Sequence, residues 1–259
     1  MATRKRTLDA HTFEPGTFSP NPARASVASM LRAQGVMEAK LFMRHGEQLL
    51  LSFIIPLAGL VGLYFFPVAN TEMDNVVPTI LAMAAMSSGF TGQAISLAFD
   101  RRYGALKRTG ASGVPAWTIV LGKIIGVLAV SFVQLLLLGS TAMFLGWHPD
   151  GIGIVFGLIL FFFGVATFTT FGLLMGGSLS SELVLGFANL LWFALVGVAS
   201  IAMISPTPPS MGLELVPSVA LADGLRTAFS GSMPGPQLVI LAGYCAIGGL
   251  GASRWFKFN

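Results

Sequence analysis

The residues of this chain that could do chemistry are few and scattered. His11, His45 and His148 are its histidines and Cys245 its single cysteine. No H-x-x-x-H or C-x-x-C spacing joins them, so no metal cluster is available. No Gly-x-Ser-x-Gly elbow and no paired carboxylates within one apolar stretch offer a nucleophile or an acid–base couple. A G-x-x-x-x-G-K-[ST] phosphate loop is missing too, and with it the usual route to binding and hydrolysing ATP. Two sets of polar groups remain. One is the basic segment 99–123, FDRRYGALKRTGASGVPAWTIVLGK. The other is a thin scatter inside apolar sequence: Gln93, Ser131, Gln134, Thr167, Thr169, Thr170 and Asn189. Groups of the second kind either hydrogen-bond helix to helix or form a weakly polar lining for a path. No acid, Lys or Arg stands near the middle of an apolar stretch, which counts against an ion-coupled carrier.

The elements that must position these groups follow from hydropathy. Six uncharged apolar stretches of 17 to 31 residues divide the chain. About 20 residues of helix cross a hydrocarbon core of ~30 Å. The predicted fold is therefore an all-α integral membrane protein of six transmembrane helices, at 49–68, 76–99, 116–146, 151–175, 183–204 and 237–253. With the N-terminus in the cytoplasm, Arg226 is the only one of the 15 Lys and Arg left outside, as the positive-inside rule requires. Both termini are then cytoplasmic. Hydrophobic residues make up 54% and charged residues 10%, with a mean hydropathy of +0.78, which excludes an ordinary soluble domain. The net charge of +4 reads as topology and lipid contact rather than nucleic-acid binding. No cleavable leader is evident, so the first span serves as the insertion signal.

Residues 1–25, with Arg4, Lys5, Arg6 and three prolines, read as a disordered cytoplasmic tail. Over 26–45 the pattern becomes that of an amphipathic interface helix preceding the spans: Val27, Met30, Leu31, Met37, Leu41 and Phe42 on one face, and Arg32, Lys40 and Arg44 opposite. Gln34, Glu38 and His45 interrupt the apolar face. That leaves two readings, a lipid-lying anchor or a helix shared between lipid and a protein neighbour. Residues 46–259 form the six-span domain. Its proline-rich outer connection, 205–236, carries a short helix over 218–230, either re-entrant or interfacial. Glycine pairs Gly122/Gly126, Gly153/Gly157 and Gly172/Gly176 fit close helix packing, although 31 glycines make such pairs common by chance.

Segment 99–123 closes the sequence-level picture. Gly104, Leu106, Lys107, Arg108, Pro115, Trp117, Gly122 and Lys123 resemble the coupling loop of ABC-2 type transporter permeases, of the bacterial drug-resistance and export type. That pattern is charge, Gly-x-Leu-Lys-Arg, a small-residue turn, Pro, an aromatic and Gly-Lys. Many members place an acid just before the glycine, whereas here Asp100 precedes Arg101, Arg102 and Tyr103. The interface helix, the long fifth connection and the basic-aromatic C-terminus are similar too. The resemblance implies a transport subunit of a bacterial inner (plasma) membrane exporter, without its own ATPase site. Two copies of a separate ABC ATPase subunit would bind ATP and Mg, and a second permease, identical or related, would complete the path. No cofactor would sit on this chain, and no nucleic acid would partner it. The loop at 99–115 would meet the ATPase through Arg101, Arg102, Tyr103, Leu106, Lys107 and Arg108, supported by Glu38 and Arg44. Phe90, Gln93, Asn189 and Trp192 would line the path for an amphipathic or lipid-like cargo. A non-transporting scaffold subunit and a stand-alone secondary carrier are the alternatives.

Overall fold

A computed structural model describes residues 25–255, apart from 45, 69–71, 112–113, 206 and 208. The N-terminal tail, His45 and the last four residues of the C-terminus lie outside the described residues. All described secondary structure is helical. In chain order it comprises α1 (Val27–Arg44), α2 (Gly46–Leu49), the π-helical segment π1 (Leu50–Ile54), α3 (Ile55–Phe65), α4 (Met73–Met86), π2 (Ser87–Thr91) and α5 (Gly92–Arg102). There follow α6 (Ala105–Ala111), α7 (Ala116–Phe144), α8 (Gly151–Ser178), α9 (Ser181–Ile204), α10 (Met211–Glu214), α11 (Pro217–Phe229) and α12 (Gly235–Trp255).

Five helices are long and apolar enough to cross a membrane: Met73–Arg102, Trp117–Phe144, Gly151–Ser178, Ser181–Ile204 and Gly235–Ala252. They match the second to sixth predicted spans within a few residues. For the first, helix runs without a break from Gly46 through π1 to Phe65, and Ser52–Phe65 is its described apolar part.

The central helix is α8. Its glycines let neighbours approach to backbone distance. A Cβ at Gly172 would stand 2.5 Å from the Phe90 carbonyl oxygen, and one at Gly89 would stand 2.9 Å from that of Val165. A Cβ at Gly153 would lie 2.6 Å from the Ala228 carbonyl, and Gly157 faces the Phe229 ring. Gly122 and Gly126 on α7 make the same kind of seat for α1, under Gln34 and Glu38. All three glycine pairs noted in the sequence are therefore close helix contacts.

Helix α1 runs alongside α7. Gln34 meets Gly122, Glu38 meets Gly126 and Phe42 packs with Val130, so the two helices advance together in the same direction. The neighbour that the polar residues of α1 called for is thus the chain's own third span. Val36, Met37, Leu41 and Met43 stay exposed on the other side, available to lipid.

Of the seven intramembrane polar groups, Ser131, Gln134 and Thr167 bind helix to helix, while Thr169, Thr170 and Asn189 return to carbonyls of their own helices. Ser88 Oγ and Ser131 Oγ are 3.2 Å apart, and Ser52 Oγ and Ser87 Oγ 3.5 Å. The Gln134 amide donates to the Ser52 carbonyl inside π1 and to that of Ala84, at 3.5 Å, just before π2. A π turn disturbs the regular i→i−4 ladder. In a membrane a loosened carbonyl needs another donor; Gln134 reaches one in π1, and the Ala84 carbonyl also accepts from Ser88 Oγ at 3.0 Å. Thr167 reaches the Leu241 carbonyl of α12 at 3.3 Å.

The outer connection folds back into the bundle. Ser218, Val219, Ala220, Leu221, Ala222, Asp223, Gly224, Leu225 and Ala228 of α11 are all buried. Its N-terminal end is fixed deep: Ser218 Oγ donates to Leu195 O at 2.8 Å, and Tyr244 OH donates to the adjoining Leu215 O at 2.9 Å. Leu195 lies nine residues below the end of α9 and Tyr244 nine residues inside α12, so this end sits about 13 Å down both helices. The far end returns to the start of α8, where Asp150 N donates to Phe229 O at 3.0 Å. Asp150 also caps α8 through Ile152 N and Gly153 N. Helix α11 is thus buried among the other helices, and protein contacts both of its ends.

Candidate functional site

At the opposite end of the bundle from Asp150, span two stops at a designed turn. Tyr103 N bonds Phe99 O and Gly104 N bonds Arg101 O. Gly104 adopts φ +70°, a conformation glycine reaches without steric cost. The chain then enters α6, anchored by Leu106, which is buried with Leu97, Ile119, Leu173 and Ala252. Tyr103, Lys107 and Arg108 remain exposed on its outside, with Tyr103 stacked on Phe99 at 5.9 Å. Pro115 caps the start of α7.

One turn beyond the turn lies the strongest electrostatic feature of the molecule. Lys123 is only 1% exposed, and its Nζ donates to Glu38 Oε2 at 2.9 Å and to Asp100 Oδ2 at 3.0 Å. Gln34 Nε2 donates to the other Glu38 oxygen at 2.9 Å. One ammonium thereby holds three helices: α1 by Glu38, α5 by Asp100 and α7 by Lys123. Two carboxylates around a single buried cation stabilise it where either alone would leave it poorly compensated.

The two arginines next to Asp100 point the other way. Arg101 Nη1 donates to Gly176 O and Leu179 O, each at 3.0 Å. It thus satisfies carbonyls at the end of α8, where the helix dipole favours a cation. Arg102 Nη1 reaches Ser181 Oγ at 3.2 Å and Glu182 Oε1 at 2.6 Å, at the start of α9. Asp100, Arg101 and Arg102 therefore weld the end of span two to α1, α7, α8 and α9 together.

Against this geometry, the eight residues expected at an ATPase contact separate. Arg44, Tyr103, Lys107 and Arg108 are exposed, and Arg102 is exposed while paired with Glu182. Arg101 is spent on α8, and Glu38 and Leu106 are buried inside the chain. Lys123 and Asp100 belong to the loop pattern in the sequence, but their junction with Glu38 is not legible there. A lysine in an apolar helix needs an acidic partner, but its partners lie 85 and 23 residues away.

The four path candidates also separate. Phe90, buried in π2, lines a cavity of about 370 Å³ with Phe168, Phe171, Leu191, Leu195 and Tyr244. Gln93 is buried with its Oε1 unbonded, and Trp192 has a buried, unbonded Nε1. Asn189 faces outward, its amide returned to Leu185 O at 2.9 Å. The structure thus brings Phe90 to a cavity and leaves Asn189 on an exposed apolar face. Among the described residues no group of His, Cys, Asp and Glu could hold a metal.

The fold and this site define a multi-pass membrane protein in which charged residues beside α6 tie helices together. The profile of a family described as "ABC-2 family transporter protein" matches residues 50–253, and the chain belongs to that family. It is a transporter permease subunit, of a kind that typically lacks its own ATPase site and works with an ABC ATPase. No curated protein matches the chain.

Proposed function

We propose that this chain is one half of an ATP-driven exporter, with α6 as the element that receives the ATPase subunit. The observation that carries this reading is the Glu38–Lys123–Asp100 junction. It joins α1, α5 and α7 into one lever, and α6, which follows α5 after Tyr103 and Gly104, presents Lys107 and Arg108 beneath it beside the exposed Tyr103. Closure of two ATPase subunits would push on α6 and move the lever as a unit. Span two carries π2 between the lever and its outer half, and π segments are frequent where a helix must change register or bend. Two discrete packings of span two against α8 would then alternate access.

In this reading the Arg101 end is cytoplasmic, as the distribution of cations requires, and Arg226 lies outside. The helical run from Gly46 through π1 to Phe65 is the sixth crossing, about 30 Å long at ~1.5 Å per residue. A second permease covers the exposed face of α9, where Asn189 sits between Leu185 and Phe193. The cargo is amphipathic or lipid-like, because the cavity beside Phe90 offers aromatic and aliphatic contact and no ionic clamp. Cargo-stimulated ATP turnover of the reconstituted complex tests the proposal. Stimulation by a lipid-like compound is expected, and an ATPase rate indifferent to every amphipathic compound while the complex stays intact would favour the scaffold alternative.

A further inference from the structure

The cavity beside Phe90, where the transport reading places its cargo, has a length that points to one occupant. Along α8 its lining runs from Phe168 to Leu179, a rise of about 16 Å. That is close to half of a ~30 Å hydrocarbon core, the depth of one leaflet. Its deep end is closed by Pro217, the first residue of α11. Its other end is Ser178 and Leu179, at the turn between α8 and α9.

The body of this groove is apolar. Its two hydroxyls are already engaged, Ser178 Oγ on Leu174 O at 2.6 Å and Tyr244 OH on Leu215 O at 2.9 Å. No charge lines it, but two arginines stand beside the Leu179 end. Arg101 donates to the Leu179 carbonyl itself, and Arg102 binds Ser181 and Glu182 through Nη1 alone. The Arg102–Glu182 pair is half exposed, with side chains 51% and 68% accessible, so Glu182 holds the guanidinium only weakly against a competing anion. A guanidinium carries five N–H donors and suits phosphate.

We infer that this groove, between α8, α9 and α12, is a binding site for an anionic phospholipid of the leaflet on the Arg101 side. One acyl chain fills the groove up to Pro217, and the phosphate rests at Arg102. The site goes beyond the transport reading, because the lipid is held by the permease alone, whether or not it is carried.

The test uses the full chain, stripped of lipid in detergent and titrated with phosphatidylglycerol or phosphatidylcholine of the same acyl chains. Native mass spectrometry counts the lipids retained. One phosphatidylglycerol per chain is expected. Leu191→Trp, which fills the groove, should weaken it at least tenfold. Leu190→Trp, one residue away on the exposed face and outside the groove, should leave it unchanged. Arg102→Ala should cut the preference for phosphatidylglycerol over phosphatidylcholine about fivefold, the attraction of one basic residue for an anionic leaflet, and Arg102→Lys should restore most of it. Equal binding by the two tryptophan variants would overturn the groove, and equal affinity for the two lipids would overturn the role of Arg102. A dimer that excludes lipid and is broken by Leu191→Trp would assign the groove to a second copy and overturn the site. Because no ATPase is present, failure here leaves the transport reading to be judged separately.

Discussion

At the scale of single residues, Lys123 is the position on which most depends. Its charge is buried, and its two carboxylate partners belong to different helices. Removing the ammonium leaves Glu38 and Asp100 facing one another without a cation, and breaking a buried pair costs about 3–5 kcal/mol. Lys123→Met should therefore lower stability by about that much in detergent unfolding, while Lys107→Met, an exposed cation on α6, should change it by less than ~0.5 kcal/mol. Equal losses would show that the junction does not carry the helices. The loop residues were legible in the sequence, since Gly104, Leu106, Lys107, Arg108 and Pro115 form a pattern along the chain. The division of labour among the charges was not. Nothing in the order Asp-Arg-Arg says that Asp100 turns to α7, Arg101 to α8 and Arg102 to α9. That follows from the 100° step between neighbours on a helix and from which helices happen to surround it.

At the scale of elements, glycine decides which helices can meet. A Cβ at Gly126 would fall 2.6 Å from Glu38 Cβ, whereas at Gly139, on the same helix, it would meet nothing within 4 Å. Gly126→Ala should push α1 off α7 and cost about 1–3 kcal/mol, as overpacking does. Gly139→Ala should be neutral or stabilising by up to ~1 kcal/mol through helix propensity. Unfolding of the two variants side by side checks the difference. The pairing of these glycines was visible in the sequence, but with so many glycines present spacing alone did not distinguish a seat from coincidence. The π segments were invisible, because Leu50–Ile54 and Ser87–Thr91 read as ordinary span sequence. What betrays them is tertiary, the amide of Gln134 reaching into both helices. A re-entrant course for α11 has a direct test too. In a Cys245→Ser background, Ser230→Cys at the exposed end of α11 should react quickly with a water-soluble thiol reagent. Ser218→Cys, buried at the deep end, should be at least tenfold slower. Similar rates would place α11 on the surface of the membrane.

At the scale of the whole molecule, hydropathy sufficed for the architecture because a bilayer imposes one length and one polarity on every span. Boundaries of the second to sixth spans came within a few residues for that reason. For the first, helix covers Gly46–Phe65 and carries a π turn that hydropathy does not reveal. Family membership agrees with this layout over residues 50–253, while α1 precedes the matched region. Yet α1 is fastened to it by the same lysine that ends the loop pattern, so the Lys123 junction reaches beyond the matched region.

The most direct measurement is purification of this chain in mild detergent, as wild type and as Lys107→Glu/Arg108→Glu. Both substituted side chains are exposed, and neither takes part in the Lys123 junction. An ABC ATPase should accompany the wild type in roughly equal amount and be lost from the variant, with the variant's thermal unfolding unchanged. A wild type that purifies alone across several detergents, or a variant that keeps its ATPase, would contradict a permease driven through α6.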